Sequence, residues 1–275
     1  MMRLGIFAKT FSGSNPLTVL AAVKAAGYET AQFNMACAGL PAMPDEISAE
    51  TISAIRQAVA ETGVELVALS GTYNMIHPDV TVREDALRRL GVLLDAARQL
   101  GIPLVTLCTG TRDPLDQWAH HPDNATPEAW ADLLAEMAKA VSLAEAAGVD
   151  LGIEPEQANV VTSAEDGRRL VKAIGSERIR FVLDPANLFE VADRDTARGI
   201  VADAVEQLAG RIAMAHAKDR NPDGSFATAG TGVVDFPDFF ARLEAVGFDG
   251  PVVTHGLSAE EAPGVARYLS GLLRP

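Results

Sequence analysis

An Ala-rich amphipathic segment that ends in glycine, followed at once by a short apolar run, recurs along this chain and limits its fold more than any other feature. It is visible at Ala26-Gly27-Tyr28, Thr62-Gly63-Val64, Leu100-Gly101-Ile102, Ala147-Gly148-Val149 and Val246-Gly247-Phe248. Glycine just past a helix permits the left-handed cap that turns the chain back. The runs Leu66 to Leu69, Leu104 to Cys108, Leu151 to Ile153, Ile179 to Leu183, Ile212 to Ala215 and Val252 to Val253 are apolar without strict alternation. Strands covered on both faces read this way. With Arg3 to Ala8 as a first strand and another near residue 30, the chain contains eight strand–helix units. Helical crossovers make neighbouring strands parallel, and eight such units close a ring. The expected fold class is therefore α/β, a single-domain (β/α)8 TIM barrel over residues 1–275. The alternative is an open doubly wound sheet, but no GxGxxG follows the first strand.

Helix starts carry further signals. Thr81-x-x-Glu84 and Ser258-x-x-Glu261 fit capping boxes, and Thr126-Pro127 places proline at a first helical position. The longest irregular stretch, Gly110 to Thr126, follows strand four and is placed to cover a pocket.

Charge narrows the partners. The formal net charge of −14 repels phosphate backbones and anionic membranes, so neither nucleic acid nor membrane is an expected partner. Cys37 and Cys108 lack CxxC spacing, which fits two buried thiols in a reducing compartment. Arg3 to Ala8 reads as a strand rather than a leader, and no apolar run approaches the roughly 20 residues of a membrane span. A soluble cytoplasmic protein is expected.

Four consecutive strand-like segments in the second half each end on a residue that can bind a metal: Leu-Gly-Ile-Glu154, Phe-Val-Leu-Asp184, Ala-Met-Ala-His216 and Val-Val-Thr-His255. A parallel barrel gathers the ends of all its strands at one face, where they become neighbours. All five histidines (His77, His120, His121, His216 and His255) fall at or beyond expected strand ends, and none falls in a helix. Singly, an acid closing a strand can cap the next helix, and a histidine there can satisfy a carbonyl. Three such ends in a row point instead to a divalent metal held by Glu154, Asp184 and His216. That mixture of oxygen and nitrogen suits Mn²⁺, Mg²⁺, Co²⁺, Fe²⁺ or Zn²⁺ without choosing among them.

The motifs Gly-Ile-Glu154-Pro155-Glu156, Val-Leu-Asp184-Pro-Ala-Asn187, His216-Ala-Lys218-Asp219, Gly230-Thr-Gly232-x-x-Asp235-Phe236 and Asp249-Gly-Pro-Val together resemble the xylose isomerase-like barrel superfamily. That group includes sugar isomerases and epimerases and the endonuclease IV barrels. The resemblance covers essentially the whole chain. It implies Glu154, Asp184 and His216 as metal ligands, with Lys218 and Asp219 shaping the pocket and Asp219 holding a basic group. Keto-sugar 3-epimerases of this group carry a Glu after strand eight, serving as fourth ligand and as one of two opposed bases. Here that place holds His255, as ligand, pocket base or structural residue. They also tend to carry His where this chain has Asn187.

Other strand ends supply expected substrate contacts: Lys9, Asn34, Asn74 with His77, and Arg112 in Cys108-Thr109-Gly110-Thr111-Arg112-Asp113. Glu156, two residues past Glu154, is a candidate general base alongside Glu154 and His255. The Trp118-Ala-His120-His121 segment reads either as a closing loop or as an oligomer contact, so a homo-oligomer stays open. Gly230-Thr-Gly232 is a weak phosphate signal, since glycine often only supplies a turn. The leading expectation is a metal-dependent isomerase or epimerase acting on a small sugar, keto-sugar or polyol through an enediol-type state. The alternatives are a dehydratase or lyase on a keto-sugar or keto-inositol, an endonuclease IV-like hydrolase disfavoured by the acidic surface, and a non-catalytic sugar binder.

Overall fold

The computed structural model describes residues 1–273, so the last two residues of the expected 1–275 span lie outside it. Eight parallel strands form a closed barrel: β1 (Arg3–Phe7), β2 (Thr30–Phe33), β3 (Glu65–Ser70), β4 (Leu104–Leu107), β5 (Asp150–Ile153), β6 (Ile179–Leu183), β7 (Ile212–Ala217) and, after a two-stranded hairpin, β10 (Pro251–Thr254). Their order around the wall follows the sequence, and β1 pairs with β10 to complete the ring. The helices α1 (Pro16–Ala25), α2 (Ala49–Thr62), α3 (Val80–Leu100), α4 (Pro127–Ala147), α5 (Ala164–Ile174), α6 (Arg194–Gln207), α7 (Phe236–Ala245) and α8 (Ala262–Leu273) alternate with these strands. This is the (β/α)8 TIM barrel that the eight-unit pattern predicts.

Two layers of apolar packing follow from strands buried on both faces. Outward side chains such as Ile6, Phe33, Leu69 and Phe181 join the main core beneath the helices. Inward ones form a separate plug of Val67, Ala68, Leu104, Val182, Met214 and Val253. Gly152 in β5 is part of that inner fit. A Cβ there would stand 2.9 Å from Val182 Cγ2 and 3.1 Å from Leu104 Cδ2.

Helix starts are capped by side chains. Asn15, Ser48, Thr126, Ser163, Asp193 and Asp235 each accept a first-turn N–H, and Thr126 is followed by Pro127 as expected. The expected Thr81 box at α3 is replaced by Asp79, whose Oδ1 accepts from Thr81 N at 2.8 Å and from the Thr81 hydroxyl at 2.7 Å. A carboxylate two residues upstream is the stronger acceptor and captures the threonine. The Ser258–Glu261 box does form: Ser258 N donates to Glu261 Oε2 at 2.8 Å and Glu261 N to Ser258 Oγ at 3.3 Å.

Two features depart from the sequence-based expectation. His216 lies inside β7 rather than just beyond it, level with Val253 of β10. A short antiparallel hairpin, β8 (Asp219–Arg220) with β9 (Phe226–Ala227), rises from the end of β7. The inner plug also sets a test. Gly152→Val should lower the unfolding free energy by about 1–3 kcal/mol through overpacking. Gly199→Ala, in α6 with nothing within 4 Å, should raise it by about 0.4–1 kcal/mol. Urea denaturation of both variants checks the contrast.

Candidate metal centre

The strands β5, β6, β7 and β10 are consecutive in the barrel wall, so the four expected ligands meet at one quadrant of its C-terminal face. Glu154 directly follows β5, and its N–H continues the ladder to Leu107 O. Asp184 directly follows β6, is fully buried, and spends Oδ1 on Ala186 N at 2.9 Å. Its other oxygen, Oδ2, faces both imidazoles: His255 Nε2 at 2.9 Å and His216 Nδ1 at 3.6 Å. His216 Nδ1 also lies 3.2 Å from Glu154 Oε1. One donor atom from each of Glu154, Asp184, His216 and His255 falls within 4.8 Å of the others.

The electrostatics match this crowding. Burial alone would raise the Asp184 carboxyl, yet hydrogen bonds with His216 and His255, together with the Lys218 charge, hold it far below the carboxylate range. Burial works against a charged His216, but Glu154 and Asp184 carry its imidazole up to about 9. His255 is pushed down by burial and by the neighbouring His216. Two imidazole nitrogens and two carboxylates converging on one point are the donor set of a divalent transition-metal site, so the residues present fit such an ion.

Neighbouring side chains fix these donors. His216 Nε2 lies 3.1 Å from Gln32 Oε1, and Gln32 Nε2 donates to Thr106 Oγ1 at 3.2 Å. This polar rod links β7, β2 and β4 across the barrel mouth and leaves Nδ1 of His216 turned toward the other donors. On the opposite side, Asn187 Nδ2 donates to Glu154 Oε1 at 2.7 Å, and Lys218 Nζ donates to Asn187 Oδ1 at 3.2 Å. Lys218 Nζ also sits 3.3 Å from the centre of the Phe226 ring, which the β8–β9 hairpin folds over it. Gln32, Thr106 and Phe226 are absent from the sequence-based reading. A lone amide inside the apolar run Thr30-Ala-Gln-Phe33 is the one signal that marks Gln32.

Glu156 joins the same surroundings. Burial, then the charges of Glu154 and Asp184, push its carboxyl up to about 7 against the pull of Lys218. Asn187 and Lys218 thus stand at the centre, while four other expected substrate contacts are taken up in holding loops. Asn34 Oδ1 accepts from Ala36 N at 3.0 Å. Asn74 Oδ1 accepts from Thr111 N at 2.9 Å, and its Nδ2 donates to Asp113 O. His77 Nδ1 accepts from Asp79 N at 3.0 Å, and its Nε2 lies 3.2 Å from Pro114 O. Arg112 donates to Ile76 O at 3.1 Å and pairs with Asp132 at 2.8 Å. Lys9 is exposed in a short turn after β1.

Asp219 departs from its expected part. Among the described residues it pairs with no basic side chain; instead its carboxylate accepts four backbone N–H bonds, from Arg220 (2.8 Å), Gly230 (3.0 Å), Gly232 (2.8 Å) and Val234 (3.0 Å). The Gly230 and Gly232 amides are therefore already bound to a carboxylate, and the Thr231 amide to Thr228 O, so none is available to a phosphate. The Gly110 to Thr126 stretch is pinned at both ends: Gly110 N donates to Asn159 Oδ1, and Arg112 N to Asn124 Oδ1. His121 Nδ1 accepts from Asp123 N, while His120 and Trp118 are exposed.

The Gln32 contact has a measurable consequence. Gln32→Leu should weaken divalent-ion affinity by about 10–100-fold while leaving the fold intact, because the partner that orients His216 is gone. Competition with a chromogenic chelator and a far-UV spectrum check both halves; unchanged affinity would assign Gln32 a packing role only.

Known proteins share this architecture and parts of this sequence. The chain is 26% identical over 271 residues to an L-ribulose 3-epimerase of Mesorhizobium japonicum, covering 94% of this chain and 83% of that protein. It is 32% identical over 135 residues to a 2-epi-5-epi-valiolone 7-phosphate 2-epimerase of Actinoplanes sp., covering 48% of this chain and 44% of that protein. The crystal structure of a 3-keto-D-glucoside 4-epimerase from E. coli superposes with a TM-score of 0.78 at 16% identity, covering 98% of this chain and 100% of that one. Residues 20–274 match the sequence model of the xylose isomerase-like TIM barrel. The chain belongs to the xylose isomerase-like TIM barrel family.

Proposed function

We propose that this chain is a divalent-metal-dependent epimerase or isomerase of a small keto-sugar or polyol derivative, working through an enediol-type state. The convergence of Glu154, Asp184, His216 and His255 carries this reading. It is supported by two relatives named as sugar or sugar-like epimerases. A divalent ion held by those four residues supplies Lewis acidity toward adjacent carbonyl and hydroxyl oxygens. Two nitrogens and two oxygens favour Mn²⁺, Fe²⁺, Co²⁺ or Zn²⁺ over Mg²⁺.

The chain's own groups handle the proton. Glu156, with its carboxyl near neutrality, is matched to accept a proton from the carbon beside a substrate carbonyl. Glu154 is turned to a fixed orientation by Asn187, which makes it the second carboxylate that can return the proton. Lys218, held by Asn187 and capped by Phe226, places a positive charge beside both and steadies the negative charge that develops on the enediol oxygens. Lys9 stands at the rim for an outer hydroxyl.

His255 in the place of a strand-eight Glu removes one negative charge from the ligand set and one of two opposed carboxylate bases. That substitution favours a second reading, enolisation followed by loss of water or an aglycone. Reaction in deuterated water separates the two: epimerisation returns a labelled sugar of unchanged formula, and elimination does not.

Glu154→Gln should abolish both bound metal and turnover, read by metal analysis beside activity. In the unaltered protein kcat/KM should rise with pH along a limb at or below about 7, because only the deprotonated Glu156 accepts a proton and a bound cation would offset the Glu154 and Asp184 charges that raise its carboxyl. Glu156→Gln should flatten that limb and lower kcat by about 10²–10⁴-fold. A pH profile with the same limb in Glu156→Gln would remove Glu156 from the mechanism.

A further inference from the structure

The net charge of the chain is concentrated where the chemistry would occur. The eight loops that leave the C-terminal ends of the barrel strands comprise residues 8–15, 34–48, 71–79, 108–126, 154–163, 184–193, 218–235 and 255–261. They contain sixteen Asp and Glu but four Lys and Arg, a balance of −12. The rest of the molecule supplies 21 acids and 19 bases, leaving only −2 of the total −14. A divalent ion between Glu154 and Asp184 would offset two of these charges, and Arg88 and Arg89 of α3 pair with Asp45, so the loops still keep a large negative excess.

Three of the four cations on this face are already committed. Arg112 is held by Ile76 O and Asp132. Arg220 donates to Ala186 O at 2.9 Å and to Gly224 O at 2.7 Å. Lys218 is shared between Asn187 and the Phe226 ring. Lys9 is, among the described residues, the one cation of these loops without a hydrogen bond or ion pair. Backbone donors are occupied as well. All eight helix N-termini open toward this face; seven are capped by a side chain of Asn15, Ser48, Asp79, Thr126, Ser163, Asp193 or Asp235, and the turn before α8 is closed by the Ser258–Glu261 pair. The Gly230 and Gly232 amides belong to Asp219. A phosphate group entering here would meet a repulsive field and no vacant cradle of amides or guanidinium.

We infer that the site selects an uncharged sugar and discriminates against its phosphate ester. This rests on the epimerase reading for the identity of the substrate as a sugar, but the discrimination itself is a property of binding. Binding is therefore measured separately from turnover. The metal-loaded protein is titrated calorimetrically with a panel of ketopentoses and ketohexoses and with their phosphate esters, at low and high salt. At low salt each ester should bind about 10–10³-fold more weakly than its parent sugar, with the gap narrowing as salt screens the face. The triple variant Glu46→Gln, Glu190→Gln, Glu260→Gln removes three exposed rim charges outside the metal centre. It should tighten ester binding and leave the parent sugar unchanged. Esters that bind as tightly as the free sugars, or whose affinity collapses in Lys9→Ala, would overturn the inference. A free sugar that binds but is never epimerised or isomerised would instead sink the epimerase reading and leave the charge discrimination standing.

Discussion

Closure of the sheet is the constraint on which the rest of this structure depends. The pairing of β1 with β10 makes the last strand an inner member of the wall, with β7 on its other side. Val253 then stands level with His216, and His255 follows two residues further along. This register brings the two imidazoles together, tilted by 56° with ring centres 4.4 Å apart, and lets both address one oxygen of Asp184. In an open sheet the last strand would be an exposed edge, and Gln32 of β2 would stand five strands along the sheet from His216 of β7 instead of meeting it across the mouth.

Convergence alone would leave the donors free to rotate, and buried polar atoms without partners are costly. The structure meets this with two short chains of hydrogen bonds from opposite sides, Thr106–Gln32–His216 and Lys218–Asn187–Glu154. Each chain ends on a different ligand, and both draw on strands or strand ends rather than on outer loops. The donors are thus ordered before any ligand arrives, which is what a preorganised centre requires.

The barrel and the meeting of the four candidate donors were legible in the sequence for one reason. A parallel strand buried on both faces is an apolar run, so a polar residue that ends it is conspicuous and its destination is set by the fold. The same reasoning could not separate a residue that faces the pocket from one that stitches the rim. Asn34, Asn74, His77 and Arg112 also follow strands, but each turns to a backbone group or to Asp132, a choice made by loop geometry that no local pattern encodes. Gln32 was hidden for the opposite reason: it lies within a strand, where period-two reasoning sees only one polar position in an apolar run. The hairpin over Lys218 escaped because β8 and β9 are two residues each, too short to leave a periodic signal.

The four-amide cradle of Asp219 ties three positions into one inherited unit. Gly230 has φ near +92°, and any side chain on Gly232 would run into the Arg220 carbonyl and the Asp219 carboxylate itself. None of these residues reaches the ligands, yet a change at one removes the reason for the others. Such a set is expected to be kept or lost together as related chains diverge. Its joint presence records the path of the backbone after β7 more faithfully than it records the reaction, so chains that share it can differ freely in what they bind.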